Sequence, residues 1–500
     1  MNQPSEAAAP AAWHAAWWWA GGLLFILLAT ANAGGYRYGA SDQAFHIPAV
    51  VRVLDPASFP RDAGLIAAQA DLMLTDEAIA GLVTHSGLPL DLAFFAVYLL
   101  SLALFWAGLV LVGFGSYGDR WMTLALGAAA TLRHRIPETS ANSFEPYYNP
   151  RMLAFALGVL ALASVQRRKP WTAIALVGLG ALIHVTTALW FAILLGVAIV
   201  VLDARFRRLA IPAVAAAGLV LVWALGYGPL QSSLTRMDGI WLQALASKDS
   251  LFPQDWPAWA WLANLGLLPL AWGLWLWRRR NGLSHPDESA VLWGGAALVA
   301  AFLVTLPLVG ARMALPTQLQ VSRVFWLIDL LATVQLVGVL CSGRARRAVA
   351  LLAVAVSLVR GAYVMRIEHP ERALFGVHLA NDDWQDAMHY VARQPRDVHV
   401  LADPGHAWKY GTSVRVAAER DVFLEEVKDA AIAIYAREVA VRVVERTQAI
   451  GDFSTLTAER VDALASRYRL DLLVSEAELP LPVAYQNTRF RVYRLTGAAR

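Results

Sequence analysis

Eleven apolar segments follow one another through residues 1–365, at about 13–33, 91–115, 121–132, 152–166, 171–183, 185–202, 209–226, 257–277, 289–309, 324–341 and 348–365. A helix needs roughly 20 apolar residues to cross the hydrocarbon of a bilayer, and fewer suffice where protein thins the bilayer or lines a cavity. So dense a succession has no place in a water-soluble core, and a composition of 58% hydrophobic and 16% charged residues points the same way. The expected fold is an α-helical polytopic membrane protein of about 11 transmembrane helices. The segments at 121–132 and 171–183 are short for ordinary spans. The N-terminal stretch has an apolar core of signal-peptide character without a basic region ahead of it, and reads as a retained first span.

Basic residues orient such a chain. Arg120, then Arg167, Arg168 and Lys169, then Arg205, Arg207 and Arg208, then Arg278 to Arg280, then Arg344, Arg346 and Arg347 all fall on one side if the spans number eleven. That side is assigned to the cytoplasm. The connections 36–90, 133–151, 227–256 and 311–323 then face outward, with everything after residue 366. Because the basic residues form short clusters between apolar runs, and the net charge is only +4, nucleic-acid binding has no support. The single cysteine, Cys341, excludes an internal disulfide and reads as a small packing residue.

The chain divides into a membrane domain, 1–365, and a small outward-facing α/β domain, 366–500. In the second, WQDAMHYVARQP, AIAIYAREVAVRVVERTQAIGDF and LTAERVDALASRYRL carry helical periodicity, whereas VHVLADP, LDLLVS and FRVYRL read as strands. In the first outward connection, residues 43–54 and 71–86 also show helical spacing. They are expected either to lie along the membrane interface or to pack on the bundle surface.

Most of the polar chemistry sits in the outward connections. The first brings Asp42, His46, Arg52, Asp55, Arg61 and Asp62 close to the end of the first span. Asp42 reads as a general base whose pKa burial would raise, or as the N-cap of the helix that follows. The second gathers His134, Glu138, Glu145, Tyr147, Tyr148, Asn149 and Arg151, a set suited to a sugar ring and a phosphate or, more simply, a polar loop with interfacial aromatics. His184 interrupts an apolar run, facing a watery cavity or satisfying backbone. Arg323 stands before a late span, where a guanidinium suits a lipid-linked phosphate or merely snorkels; Arg312 and Gln320 are secondary candidates. Asp329, further into that span, would pair with a neighbouring arginine or be functional. His46, His134 and His184 with an acid give a weak case for a divalent metal. The connection 227–256, with Arg236, Asp238 and several aromatics, is long enough to close over a substrate or to lie on the surface with tryptophan anchors.

This arrangement resembles the GT-C superfamily of polytopic glycosyltransferases, which use polyprenyl-phosphate-linked sugars. The segment YGASDQAFHIPAVVRVLDPASFPRD is similar to the first-loop region of bacterial members, with an Asp, a helix and an LDP-x3-PxD element, here Leu54, Asp55, Pro56, Pro60 and Asp62. YRLDLLVSEAELPLPVAYQNTRFRVYRL is similar to their terminal strands. The resemblance implies an inverting transferase of the bacterial inner membrane with a periplasmic C-terminal domain. Asp42 would be its catalytic acid. His46, Arg52, Glu138, Glu145, Tyr148, Asn149, Arg151, His184, Arg312, Gln320 and Arg323 would bind substrate, and the acceptor would be an envelope glycan, lipid or protein. The alternative is a non-catalytic component of polysaccharide assembly that binds lipid-linked glycan. Asp42 is followed by Gln43 where many members carry a second acid, and the second loop has no DxD. A secondary transporter is disfavoured because no paired broken helices occur in related halves.

Overall fold

The computed structural model describes residues 12–495 apart from Pro229 and Pro286, so the start of the N-terminal stretch, residues 1–11, lies outside the described residues. Helices occupy all eleven expected positions: Ala12–Asn32, Leu90–Tyr117, Arg120–Ala130, Pro150–Gln166, Pro170–Ile183, Val185–Leu202, Ala204–Gly226, Ala258–Arg280, Glu288–Gly310, Val324–Leu340 and Arg346–Tyr363. By length and apolarity, 7 helices among the described residues can cross a membrane, counting 314–340 as one. Trp17–Asn32, Pro150–Gln166 and Pro170–Ile183 are shorter apolar helices. The architecture is that of a helical multi-pass membrane protein.

One clustered arginine is not a surface charge. Arg278 is fully buried, and its guanidinium donates to Glu288 and Gln335, each at 2.7 Å, and to the carbonyls of Ser116 and Leu283. A buried cation must be paired and hydrogen-bonded to stay charged, and these four acceptors meet that need.

Among the described residues there are nine short strands: β1 Tyr36–Arg37, β2 Arg135–Ile136, β3 Ala141–Asn142, β4 Phe375–Gly376, β5 His399–Leu401, β6 Asp421–Val422, β7 Leu472–Ser475, β8 Val483–Gln486 and β9 Arg491–Arg494. The C-terminal sheet has the order β6-β5-β7-β9-β8, with β5 parallel to β6 and β7, and β9 antiparallel to β7 and β8. The three expected strands form as β5, β7 and β9. The two-residue β6 and the exposed β8 lack the apolar alternation by which strands are recognised. The expected helices form as Asp383–Ala392, Arg437–Ile450 and Ala458–Tyr468, and the helix Glu426–Ile432, which mostly precedes the expected run, is an addition.

In the connection 36–90, Thr75–Ser86 buries only Thr75, Asp76, Ile79 and Ala80 and packs as a surface helix, whereas Gln43–Leu54 is more than a surface layer. The helix Gln43–Leu54 buries eight residues, Gln43, Ala44, His46, Ile47, Pro48, Ala49, Val50 and Val51. It packs against Ala63–Ala70 and Thr75–Ser86 of the same connection and against Val414–Ala417 of the C-terminal region. β1 pairs in parallel with β4, and Gly35, at φ +80°, brings its backbone so close that a Cβ would lie 2.5 Å from the carbonyl oxygen of Ala373. Apolar packing runs continuously from the bundle through this connection into the C-terminal domain.

Buried charge holds the junction. Arg415, 1% exposed, donates to Asp62 at 2.7 Å and to Asp429 at 2.7 and 3.2 Å. Arg442 also pairs with Asp62, and the Asp421 carboxylate accepts the backbone N–H groups of Arg61 and Asp62, both at 3.0 Å. At the other end of the LDP-x3-PxD element, Asp55 pairs with the exposed Arg396. The element is therefore a dock for the C-terminal domain.

Glu425 pays for this packing. Burial pushes its carboxyl up to about 7, against the pull of Arg415 at 3.7 Å. Because the folded pKa exceeds the unfolded one, the cost is complete above about pH 7 and vanishes as pH falls toward the ordinary glutamate value. Glu425→Gln is expected to be more stable than the parent by about 2 kcal/mol at pH 8, with the difference closing by about pH 5. Denaturant unfolding at the two pH values checks this, and a pH-independent difference would contradict it.

Candidate functional site

Local sequence explains how the second connection presents its side chains. In Tyr148-Asn149-Pro150-Arg151, asparagine is a favoured N-cap and proline fits the first helical turn. The Asn149 Oδ1 accepts the N–H of Arg151 at 3.1 Å, which starts the helix Pro150–Gln166. Its amide nitrogen then remains free to donate to Asp42 Oδ2 at 3.0 Å. Glu145, 3% exposed, gathers Arg151 at 2.5 Å, Asn142 at 3.1 Å and Arg133 at 3.4 Å. It orients arginines, and both of its oxygens are already engaged.

Asp42 stands at the start of Gln43–Leu54, yet its side chain makes no capping hydrogen bond. It meets Asn149 instead, together with Lys428 Nζ at 2.9 Å and Arg151 at 3.8 Å. Burial alone would raise its pKa, but the two cations outweigh that effect and hold the carboxylate well below its ordinary range. The expectation of a raised pKa is therefore corrected: Asp42 is an ionised, cation-paired carboxylate. Beside it, burial pushes His46 down to about 4, so this imidazole is neutral at physiological pH.

These groups share one cavity of about 520 Å³ between the bundle and the C-terminal domain. Asp42, His46, Glu145, Asn149, Arg151, His184, Gln320 and Arg323 all line it. His184 caps the helix Val185–Leu202 through Nδ1, which accepts the N–H of Thr187 at 3.3 Å, so it satisfies a backbone donor rather than a carbonyl. Gln320 donates to the Tyr435 hydroxyl at 3.1 Å. Arg323 has no carboxylate within ion-pair distance among the described residues, and its buried Nε has no hydrogen-bond partner.

Four expected site residues lie elsewhere. Arg52 closes its own loop by donating to the carbonyls of Ser58 and Phe59. Glu138, at φ +50°, sits in the turn between β2 and β3. Tyr148 is buried against Phe94, and its neighbour Tyr147 reaches the cavity in its place. Arg312 pairs with Asp255 at 3.4 Å and lies over the Phe252 ring. His134 bonds Asp329 at 3.0 Å, so the three histidines are not brought together, and Asp329 pairs with a histidine rather than an arginine. Among the described residues, no group of three or more His, Cys, Asp or Glu side chains is arranged to hold a metal ion.

No protein-family model matches this chain, and no curated protein matches it in sequence. The site must be read from its own geometry.

Sequence reasoning missed the cavity wall supplied from elsewhere. Lys248 belongs to the 227–256 connection, which docks on the C-terminal domain: its Nζ reaches the carbonyl of Val427, and Trp241 donates to the carbonyl of Ala433 at 2.7 Å. Trp408, Lys428 and Tyr435 come from the C-terminal domain itself. Among the described residues, seven cations (Arg37, Arg133, Arg135, Arg151, Lys248, Arg323 and Lys428) and two carboxylates, Asp42 and Glu145, line the cavity. Helices that start at Gln43, Pro150, Val185 and Val324 all begin at this cavity, adding the positive ends of their dipoles. Such a space favours an anion of phosphate or pyrophosphate type.

Proposed function

We propose that this chain is a glycosyltransferase of GT-C type. It takes a sugar from a polyprenyl-phosphate-linked donor and passes it, with inversion, to a hydroxyl of an envelope glycan, lipid or protein on the periplasmic side of a bacterial inner membrane. The observation that carries the reading is the convergence of Asp42 with Arg323, which has no carboxylate partner among the described residues, in one strongly cationic cavity. Asp42 lies at the start of the helix Gln43–Leu54, and Arg323 at the start of Val324–Leu340, whose far end leads into the arginines at 344, 346 and 347. The acceptor proton passes to Asp42 while the acceptor oxygen bonds the anomeric carbon. The bond from that carbon to the phosphate oxygen breaks, and its electron pair leaves on the lipid phosphate, where Arg323 and Arg151 receive the added charge. Ser41, Ser140 and Gln320 line the cavity with φ near +50°, a strained conformation that often marks functional sites.

A second reading, a protein that binds lipid-linked glycan without turning it over, is favoured by one observation. Each Asp42 oxygen already has a partner, and so firmly ionised a carboxylate is a weak base.

Both readings require the anion subsite. Arg323→Ala is expected to weaken binding of a polyprenyl-phosphate sugar by about 10- to 100-fold, the worth of a charged hydrogen-bond pair. Its melting temperature should stay the same or rise, because no carboxylate loses a partner. Equilibrium binding to protein in nanodiscs measures this, and unchanged affinity would remove Arg323 from the site.

A further inference from the structure

The reading above gives Asp42 a role that its resting surroundings oppose, and the group most responsible comes from the other domain. Lys428 lies on the helix Glu426–Ile432, with a side chain 6% exposed. Its Nζ donates to Asp42 Oδ1 at 2.9 Å and to Ser41 Oγ at 3.1 Å, while the Trp408 ring lies 5.5 Å away. An ammonium carries three protons, so a third remains for another acceptor. The same contact holds Ser41, whose φ of +52° a serine rarely adopts. The next residue, Asp429, grips Arg415 and through it Asp62, so one short helix holds both ends of the polar stretch 41–62.

The other charged or titratable neighbours of Asp42 are fixed or distant. From the second connection, Arg151 is clamped by Glu145 at 2.5 Å, and Asn149 is committed as a helix cap. His46, on the helix Asp42 precedes, is neutral. Lys248 is bonded to Val427, and Tyr147, Arg323 and Tyr435 act on Asp42 only through space. Lysine is a point charge on a flexible stem, so it can change partner where an arginine fork cannot.

We propose that Lys428 is a positioning residue which holds Asp42 until an anionic group enters the cavity, then shifts its contact to that group and frees the carboxylate as a proton acceptor. The proposal rests on the transferase reading for the role of Asp42, but the exchange of partners does not depend on turnover. It resolves the weakness of the resting base. Proton affinity at Asp42 rises only when the leaving group is in place, because a cation departs and an anion arrives. The proton that Asp42 takes is then the acceptor hydroxyl's, bound at the oxygen Lys428 has vacated.

The test is carbodiimide labelling, which modifies a carboxyl in its protonated form and is read by peptide mass spectrometry. Full-length protein in nanodiscs is labelled between pH 4 and 8, with and without inorganic pyrophosphate, and the exposed Glu478 serves as internal standard. Parent Asp42 should resist labelling across this range. In Lys428→Met, the labelling midpoint should move up by at least one pH unit, and Lys428→Arg should restore resistance. Pyrophosphate should move the midpoint up in the parent by more than in Lys428→Met. Equal midpoints in parent and Lys428→Met, or an equal pyrophosphate effect in both, would overturn the proposal. Lys428→Arg keeps the comparison usable if Lys428→Met fails to fold: it should then resist labelling without pyrophosphate and, with its rigid fork, show a smaller pyrophosphate shift than the parent, and an equal shift would overturn the exchange. Absence of sugar transfer by the parent would instead count against the transferase reading and leave these outcomes intact.

Discussion

Asp42→Asn is expected to lower sugar transfer by about 100- to 10,000-fold, the range that a positioned general base contributes. The substitution keeps the shape of the side chain and its hydrogen bond with Asn149 after an amide flip, but it removes the carboxylate proposed to take the acceptor proton; Glu145, the other carboxylate lining the cavity among the described residues, is engaged by arginines. Donor binding should survive, because the groups expected to hold phosphate are Arg151 and Arg323. Stability should fall only modestly, since the Asp42 side chain is 23% exposed and Lys428 retains the Ser41 hydroxyl. Product formation and donor affinity measured on the same preparation separate these effects. Turnover near the parent's rate would remove Asp42 from the chemistry.

Arg415→Ala is expected to cost about 3–5 kcal/mol, because it strands buried carboxylates without their cation. Asp62 and Asp429 are fully buried and Glu425 nearly so, and all three lie within 4 Å of the Arg415 guanidinium. The loss should appear as undocking of the C-terminal domain, measured by proteolysis between the two domains and by thermal unfolding. Asp55→Ala provides the contrast. Its partner Arg396 is 65% exposed, and a solvated pair of this kind is worth less than about 1 kcal/mol. Equal effects of the two substitutions would show that buried charge does not hold the junction.

The membrane helices were legible because hydrophobic runs of their length have few other uses, and the helices of the C-terminal domain because their periodicity is local. The cavity was only partly legible. Asp42, Arg151 and Arg323 stood out as polar residues at span ends, where a charge must have water, protein or ligand for company. Lys428 gave no such signal: in EEVKDAAIAIY it resembles any solvated helix charge, and only the fold carries it 386 positions back to Asp42. Tyr147 and Tyr148 are adjacent, and which one faces the cavity depends on a backbone direction that no periodicity announces. The rise in pKa anticipated for Asp42 failed for the same reason as Lys428 was missed. Burial was foreseeable from position, but the opposing cation comes from another domain.

The measurement that bears most directly on the central claim is mass spectrometry of lipid products after purified protein is incubated with a series of polyprenyl-phosphate-linked sugars and candidate acceptors. Transfer predicts release of free polyprenyl phosphate together with an acceptor heavier by one sugar, both dependent on Asp42 and Arg323. Saturable binding of the same lipids, with donor and acceptor recovered unchanged across the series, would contradict it and leave a protein that holds lipid-linked glycan without turning it over.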